Sequence, residues 1–121
     1  VFNVENFVKE TLLSVKNQIS RSDEVIIIDD GSTDNSINII NNFRDLDGWK
    51  IIQTPNQGLG LTRNLGRSLA RSEYIYFLDS DDVIKDNLID EMRGIILQYN
   101  KPDMILFSGE TFDDNQKKIK N

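Results

Sequence analysis

The chain has 121 residues, enough for one domain built on one core. With 38% hydrophobic and 28% charged residues it reads as an ordinary globular chain, without repeats, low-complexity runs or an apolar stretch long enough to cross a bilayer. A net charge of -6 argues against a nucleic-acid partner, whose affinity would come from Lys and Arg on phosphate, and the absence of Cys and His leaves oxygen as the only way to hold a metal.

Val4, Val8, Leu12, Val15 and Ile19 recur every three or four residues and predict an amphipathic helix with one apolar stripe. Val25 to Ile28 is an unbroken apolar run, the pattern of a strand buried on both faces, and it ends in paired carboxylates, Asp29 and Asp30. Gly31, Ser32, Thr33 and Asp34 supply turn chemistry and a helix N-cap, after which Ile37, Ile40 and Phe43 mark a short second helix. Trp49 to Thr54 predicts a weaker strand and Pro55 to Gly58 a loop. Leu61, Leu65 and Leu69 form one face of a third helix, with Arg63 and Asn64 pointing elsewhere, toward the side where the strands end.

Tyr74 to Leu78 is the second run without polar alternation, and it leads straight into Asp79, Ser80, Asp81 and Asp82. Open parallel sheets hold ligands beyond the carboxyl ends of their strands, and crowded carboxylates repel unless a cation or protons relieve them, so the cluster points to a divalent metal. The bland alternative is an acidic turn capping the next helix; for Arg63 it is a solvated surface arginine. Leu88, Met92, Ile95, Ile96 and Tyr99 define a fourth helix, and Met104 to Phe107 a short strand behind Pro102. Phe112 and Ile119 bracket Asp113, Asp114 and Asn115, which are suited to turn a hairpin.

Helices and strands therefore alternate, which predicts an α/β fold: a Rossmann-like, mostly parallel sheet with right-handed crossovers. Gly58-Leu59-Gly60-Leu61-Thr62-Arg63 lacks the third glycine of the dinucleotide fingerprint, so a nicotinamide cofactor is disfavoured. Two acidic strand ends with one strand between them would stand about 10 Å apart, a span suited to a nucleotide lying across the crevice. A carboxylate can accept from a base N–H or a ribose hydroxyl but repels a diphosphate unless a metal bridges them.

Across nearly the whole chain, the sequence resembles the family 2 glycosyltransferases, inverting enzymes of the GT-A fold that use nucleotide-sugar donors. The resemblance rests on Phe2-Asn3 before the first helix, Asp29-Asp30-Gly31-Ser32-Thr33-Asp34, Asn56-x-Gly58 with Arg63-Asn64-x-Gly66, and Asp79-Ser80-Asp81-Asp82. It implies a three-layer α/β/α domain, present over residues 1–121 in part, with the family's first strand and its acceptor-binding half absent. It also implies that Asp30 hydrogen-bonds the base, normally uracil, that Asp79 contacts the ribose, that Arg63 lines the nucleotide pocket, and that Asp81 ligates Mn2+ or Mg2+. Phe2 and Asn3 belong to the donor site on the same ground. Phe2 stands where the family often has Tyr, which keeps a ring face and loses a hydroxyl, and Thr62 where it commonly has Ala.

The implied activity is metal-dependent, inverting transfer of a sugar from a nucleotide-sugar, a UDP-sugar by expectation, to a saccharide or lipid-linked acceptor in bacterial polysaccharide or glycan synthesis. The expected place is cytoplasmic, including the inner face of the membrane. The general base is expected beyond Asn121, so these residues are not expected to transfer sugar alone. Three other readings stand beside this one: a non-catalytic sugar-nucleotide-binding or scaffolding domain, a haloacid dehalogenase type phosphatase, and a receiver domain. The phosphatase fits poorly because Val83 stands where such enzymes prefer Thr; the receiver lacks its phosphorylatable Asp and its Lys, with Thr54 and Ser108 at the corresponding strand ends.

Overall fold

The computed structural model describes residues 1–112 and 119–120. They form two compact units, residues 1–89 and 90–121. In the first unit α1 (Val8–Lys16) is followed by β1 (Val25–Asp29), α2 (Ser36–Asn41), β2 (Trp49–Gln53) and α3 (Leu59–Leu69). β1 and β2 pair in parallel, Val25 opposite Trp49 through Asp29 opposite Gln53, as the alternation of helices and strands predicts.

The pleat of β1 sorts its neighbours into layers. Ile27 joins Val8 and Leu12 of α1, Ile40 of α2, Phe43 and Trp49 in the main core, where the Phe43 and Trp49 rings stack with centroids 5.3 Å apart. Ile28, on the other face, meets α3: a Cβ at Gly66 would lie 3.4 Å from the Ile28 Cδ1, so the helix backbone rests close against the strand. Helices on both faces of a parallel pair make the expected three-layer α/β/α arrangement. The side of α3 that faces inward carries Thr62, which is buried, while Leu61 is 57% exposed, so the expected Leu61-Leu65-Leu69 stripe is rotated toward Thr62.

The expected strand at Tyr74 to Leu78 is not formed: no strand spans these residues, and Ile75, Tyr76 and Phe77 are exposed. A strand exists through its ladder, and the edge of β1 away from β2 is occupied at one step only. There Val1 donates its amine to the Ile28 carbonyl at 2.8 Å, and its own carbonyl accepts from the Asp30 N–H at 2.8 Å. Those two bonds are one step of a parallel ladder, and among the described residues no strand pairs with the Tyr74 to Leu78 stretch. An unbroken apolar run reports the burial a stretch is suited to and does not by itself make a ladder.

The helix α4 (Leu88–Gln98) begins at the end of the first unit. It follows the predicted spacing, but none of its residues is buried. In the second unit the expected strand at Met104 to Phe107 is also absent, with Met104 and Leu106 largely exposed and no ladder to hold them. β3 (Thr111–Phe112) and β4 (Ile119–Lys120) pair antiparallel, as a hairpin requires; Asp113, Asp114 and Asn115 lie outside the described residues. No helix among the described residues is long and apolar enough to cross a membrane.

Candidate functional site

β1 delivers two carboxylates to its carboxyl end with different fates. Asp29 is 2% exposed and its Oδ1 has no hydrogen-bond partner. Asp30 is likewise buried but well supplied: Oδ1 accepts from the Gln57 N–H at 2.9 Å and the Thr54 hydroxyl at 3.2 Å, and Oδ2 accepts from the Gly58 N–H at 2.9 Å. The Gln57 N–H holds the Asp30 carboxyl below the usual carboxylate range; burial opposes it, and the Gly58 N–H and the Thr62 and Thr54 hydroxyls reinforce it. The chain can turn so tightly after Asp30 because Gly31 sits at φ +77, where a side chain would meet the Asn56 N at 2.8 Å. One carboxylate thus pins the loop that opens α3, whose backbone N–H groups would otherwise go unmet.

The Asp-Gly-Ser-Thr-Asp segment is a clasp for the residues before α1. The Asn3 Oδ1 accepts from the Thr33 N–H at 2.8 Å, while the Asn3 N–H donates to the Ser32 hydroxyl at 3.1 Å. The N–H groups of Val4 and Glu5 donate to the Ser36 Oγ at 3.0 Å and the Asp34 Oδ2 at 3.0 Å, and the Glu5 carboxylate in turn accepts from the Asn35 N–H at 2.7 Å. Desolvation pushes the Asp34 carboxyl up, but hydrogen bonds from Ser36 and Glu5 outweigh it and hold the value low. Phe2, immediately before this clasp, keeps its ring 46% exposed.

On the opposite side α3 brings Arg63 against the acidic turn, its Nη2 2.7 Å from the Asp79 Oδ1. The turn closes through the Asp82 N–H and the Asp79 carbonyl at 3.1 Å, leaving Asp81 and Asp82 exposed. Burial raises the Tyr76 hydroxyl's pKa, and the nearby carboxylates of Asp82 and Asp79 add to it. Burial lowers the pKa of the Val1 amine against the pull of Asp29, Asp30 and Asp79, in that order.

The expected site residues are therefore placed as follows. Arg63 and Asp79 meet directly, Asp30 is held by the loop before α3, and Asn3 bonds the Thr33 N–H and the Ser32 hydroxyl. Asp81 joins none of them by a hydrogen bond. Sequence reasoning missed Thr54 and Thr62, whose hydroxyls complete the surroundings of Asp30. The available signal for Thr62 was its spacing of four from Gly58, whose carbonyl it reaches at 3.0 Å. A shallow depression of about 300 Å³ lined by Lys16, Ile19, Leu46 and Trp49 lies where β2 begins, away from these carboxylates.

The sequence model described as Glycosyl transferase family 2 matches residues 1–120. The chain belongs to glycosyl transferase family 2. An uncharacterized glycosyltransferase of Haemophilus influenzae is 45% identical over 100 residues, which are 81% of this chain and 40% of that protein. The poly(ribitol-phosphate) beta-N-acetylglucosaminyltransferase TarP of Staphylococcus aureus is 34% identical over 109 residues, 87% of this chain and 33% of TarP. The crystal structure of S. aureus TarS 1-349 in complex with UDP-GlcNAc superposes with a TM-score of 0.76 at 30% identity, covering 83% of this chain and 30% of that one. The chain thus spans well under half the length of these relatives. The likeness gives the family 2 member a GT-A fold and sets aside the phosphatase and receiver readings.

The acidic turn carries hard oxygen donors, the kind a divalent metal takes. Among the described residues no group of three or more possible ligands is close enough to enclose an ion. Of the three carboxylates in the acidic turn, only Asp79 is ion-paired among the described residues, which leaves Asp81 and Asp82 to contribute. A donor set this small suits an ion that keeps water and takes further oxygens from a diphosphate.

Proposed function

We propose that this family 2 member binds a UDP-sugar and serves the transfer of its sugar, with inversion, to a saccharide or lipid-linked acceptor in polysaccharide or glycan assembly on the cytoplasmic side. The observation that carries the reading is the Arg63–Asp79 pair at 2.7 Å, formed from α3, the helix whose opening loop Asp30 pins. The likeness to a TarS structure holding UDP-GlcNAc supports it.

In this reading the buried Asp30 accepts from the base while keeping Gln57 and Gly58 in place, and the exposed ring of Phe2 packs on the base. Asn3 holds the segment that carries Phe2. Asp79 accepts from a ribose hydroxyl, and Arg63 both orients Asp79 and lines the nucleotide pocket. Asp81, with Asp79 or Asp82, would hold Mn2+ or Mg2+. When bound, that ion supplies neutralisation of the charge on the departing nucleoside diphosphate.

Inverting transfer forms a bond from the acceptor oxygen to the anomeric carbon as the bond from that carbon to the diphosphate breaks, and the acceptor proton passes to a carboxylate base. Asp30 is unsuited to take that proton, because the Gln57 and Gly58 N–H groups stabilise its ionised form. Asp79 is committed to Arg63. In this reading Asp30 and Asp79 serve binding, and neither is the base. The test is thermal stabilisation by a panel of nucleoside diphosphates and their sugars in the presence of Mn2+. UDP and UDP-sugars should raise the midpoint more than the ADP, CDP and GDP counterparts, and equal shifts for all of them would remove the assignment of uridine.

A further inference from the structure

The face of α1 beside its apolar stripe carries Thr11 and Ser14, and Gln18 follows one turn later. Each of the three reaches the loop that holds the acidic turn. The Thr11 hydroxyl donates to the Ser80 carbonyl at 3.0 Å, and the Ser14 Oγ accepts from the Ile84 N–H at 3.2 Å. Gln18 grips twice, with its Nε2 donating to the Lys85 carbonyl at 2.9 Å and its Oε1 accepting from the Ile89 N–H at 3.3 Å. Four backbone groups between Ser80 and Ile89 are thereby satisfied by side chains at the spacing of one helix face.

Residues 82–85 of this loop have no helix or strand of their own, and between the grips only Ile84 is buried. Asp81 and Asp82 lie between the Ser80 and Ile84 grips, exposed, with their backbone held on either side. Thr11 is itself 3% exposed, and of the two carbonyls its hydroxyl reaches, Ser80 at 3.0 Å and Phe7 at 3.5 Å, the nearer is that of the acidic turn. The same helix packs Val8 and Leu12 into the core, so the acidic loop is tied to a helix seated in the core of the unit.

From this geometry we infer that Thr11, Ser14 and Gln18 are positioning residues that set where Asp81 and Asp82 stand, and thereby how well the metal and diphosphate are received. The inference rests on the donor-site reading above. It gives the polar side of α1 a role in the site, distinct from any direct contact with the ligand.

The experiment is done on the complete protein with two independent readouts. The first is amide hydrogen exchange at Ile84 and Ile89, which does not depend on any ligand. Ser14→Ala should speed exchange at Ile84, and Gln18→Ala at Ile89, while amides of β1 keep their rates. The second is the affinity of Mn2+ for the UDP-loaded protein, compared with that of UDP without metal. Thr11→Val, which keeps the shape and removes the hydroxyl, should weaken Mn2+ about fivefold, the effect of one net hydrogen bond, with little change in metal-free UDP binding. Thr11→Ser, which keeps the hydroxyl, should restore it. If a Thr11 variant fails to fold, the partly buried Ser14→Ala carries both readouts. Loss of general stability with unchanged exchange contrast or unchanged Mn2+ affinity would overturn the inference and leave these residues as struts. A wild-type protein that binds neither UDP nor Mn2+ would instead overturn the donor-site reading, and the inference with it, whatever the exchange rates.

Discussion

Replacing Gly31 by Ala tests how the acidic end of β1 is built. Gly31 sits at φ +77, and an added Cβ would stand 2.8 Å from the Asn56 N and 3.3 Å from the Thr54 carbonyl oxygen, both of them backbone atoms. The left-handed backbone alone costs an L-residue about 1–2 kcal/mol. Overpacking against groups that cannot rotate away adds about 1–3 kcal/mol. The expected loss is therefore about 2–5 kcal/mol, read from urea unfolding monitored by Trp49 fluorescence. The displaced atoms belong to the loop whose Gln57 and Gly58 N–H groups face Asp30, so UDP affinity should fall at the same time. Gly94 is the control: it is helical with nothing within 4 Å of its Cβ, so Gly94→Ala should gain about 0.5–1 kcal/mol. An unfolding midpoint for Gly31→Ala equal to that of the wild type would refute the close approach of the two loops.

Asp30, Asp34 and Glu24 are all held below their ordinary values by hydrogen bonds that exist only in the folded chain, so each contributes stability that is complete above the ordinary carboxylate range and is lost as pH falls through the lowered folded value. Unfolding followed from pH 7 downward should show a flat region and then a decline below about pH 4; Asp30→Asn should be less stable at pH 7 and decline less steeply, and an unchanged slope would count against the assigned bonds. Arg63→Ala removes a pair whose side chains are 43% and 53% exposed, so folding stability should change by less than about 1 kcal/mol, while UDP binding weakens roughly tenfold if Arg63 reaches the nucleotide. A matching loss in both measurements would make Arg63 a structural residue.

Much of this was legible in the residues. The run Val25 to Ile28 announced a buried strand because a doubly covered strand leaves no alternation, Trp49 to Thr54 read as a weaker one, and the spacing of Val8 and Leu12 announced the helix that covers one face. The likeness to family 2 singled out Asp30, Arg63 and Asp79, of which Arg63 and Asp79 pair directly. Tyr74 to Leu78 misled because hydrophobicity records the surroundings a segment is suited to, while a strand is defined by its partner's backbone; Ile75 and Phe77 are exposed for want of that partner. Met104 to Phe107 misled in the same way. Thr11, Ser14, Gln18 and Glu24 could not be singled out, because a polar residue on a helix or before a strand looks like a solvated one until the backbone group it receives is known. Glu24 illustrates this: it accepts from the Arg71 N–H at 2.6 Å and the Ser72 N–H at 3.1 Å, across 47 and 48 positions of chain.

The most direct measurement of the central claim is a calorimetric titration of the complete protein with UDP, with and without Mn2+, repeated on Asp81→Asn. Two carboxylates cannot enclose an ion by themselves, so Mn2+ alone should bind weakly, and UDP should bind much more tightly when Mn2+ is present. Asp81→Asn should abolish that enhancement while leaving the unfolding midpoint unchanged, since Asp81 is exposed. UDP affinity that is unaffected both by removing the metal and by Asp81→Asn would contradict a metal-bridged nucleotide site at the end of these strands.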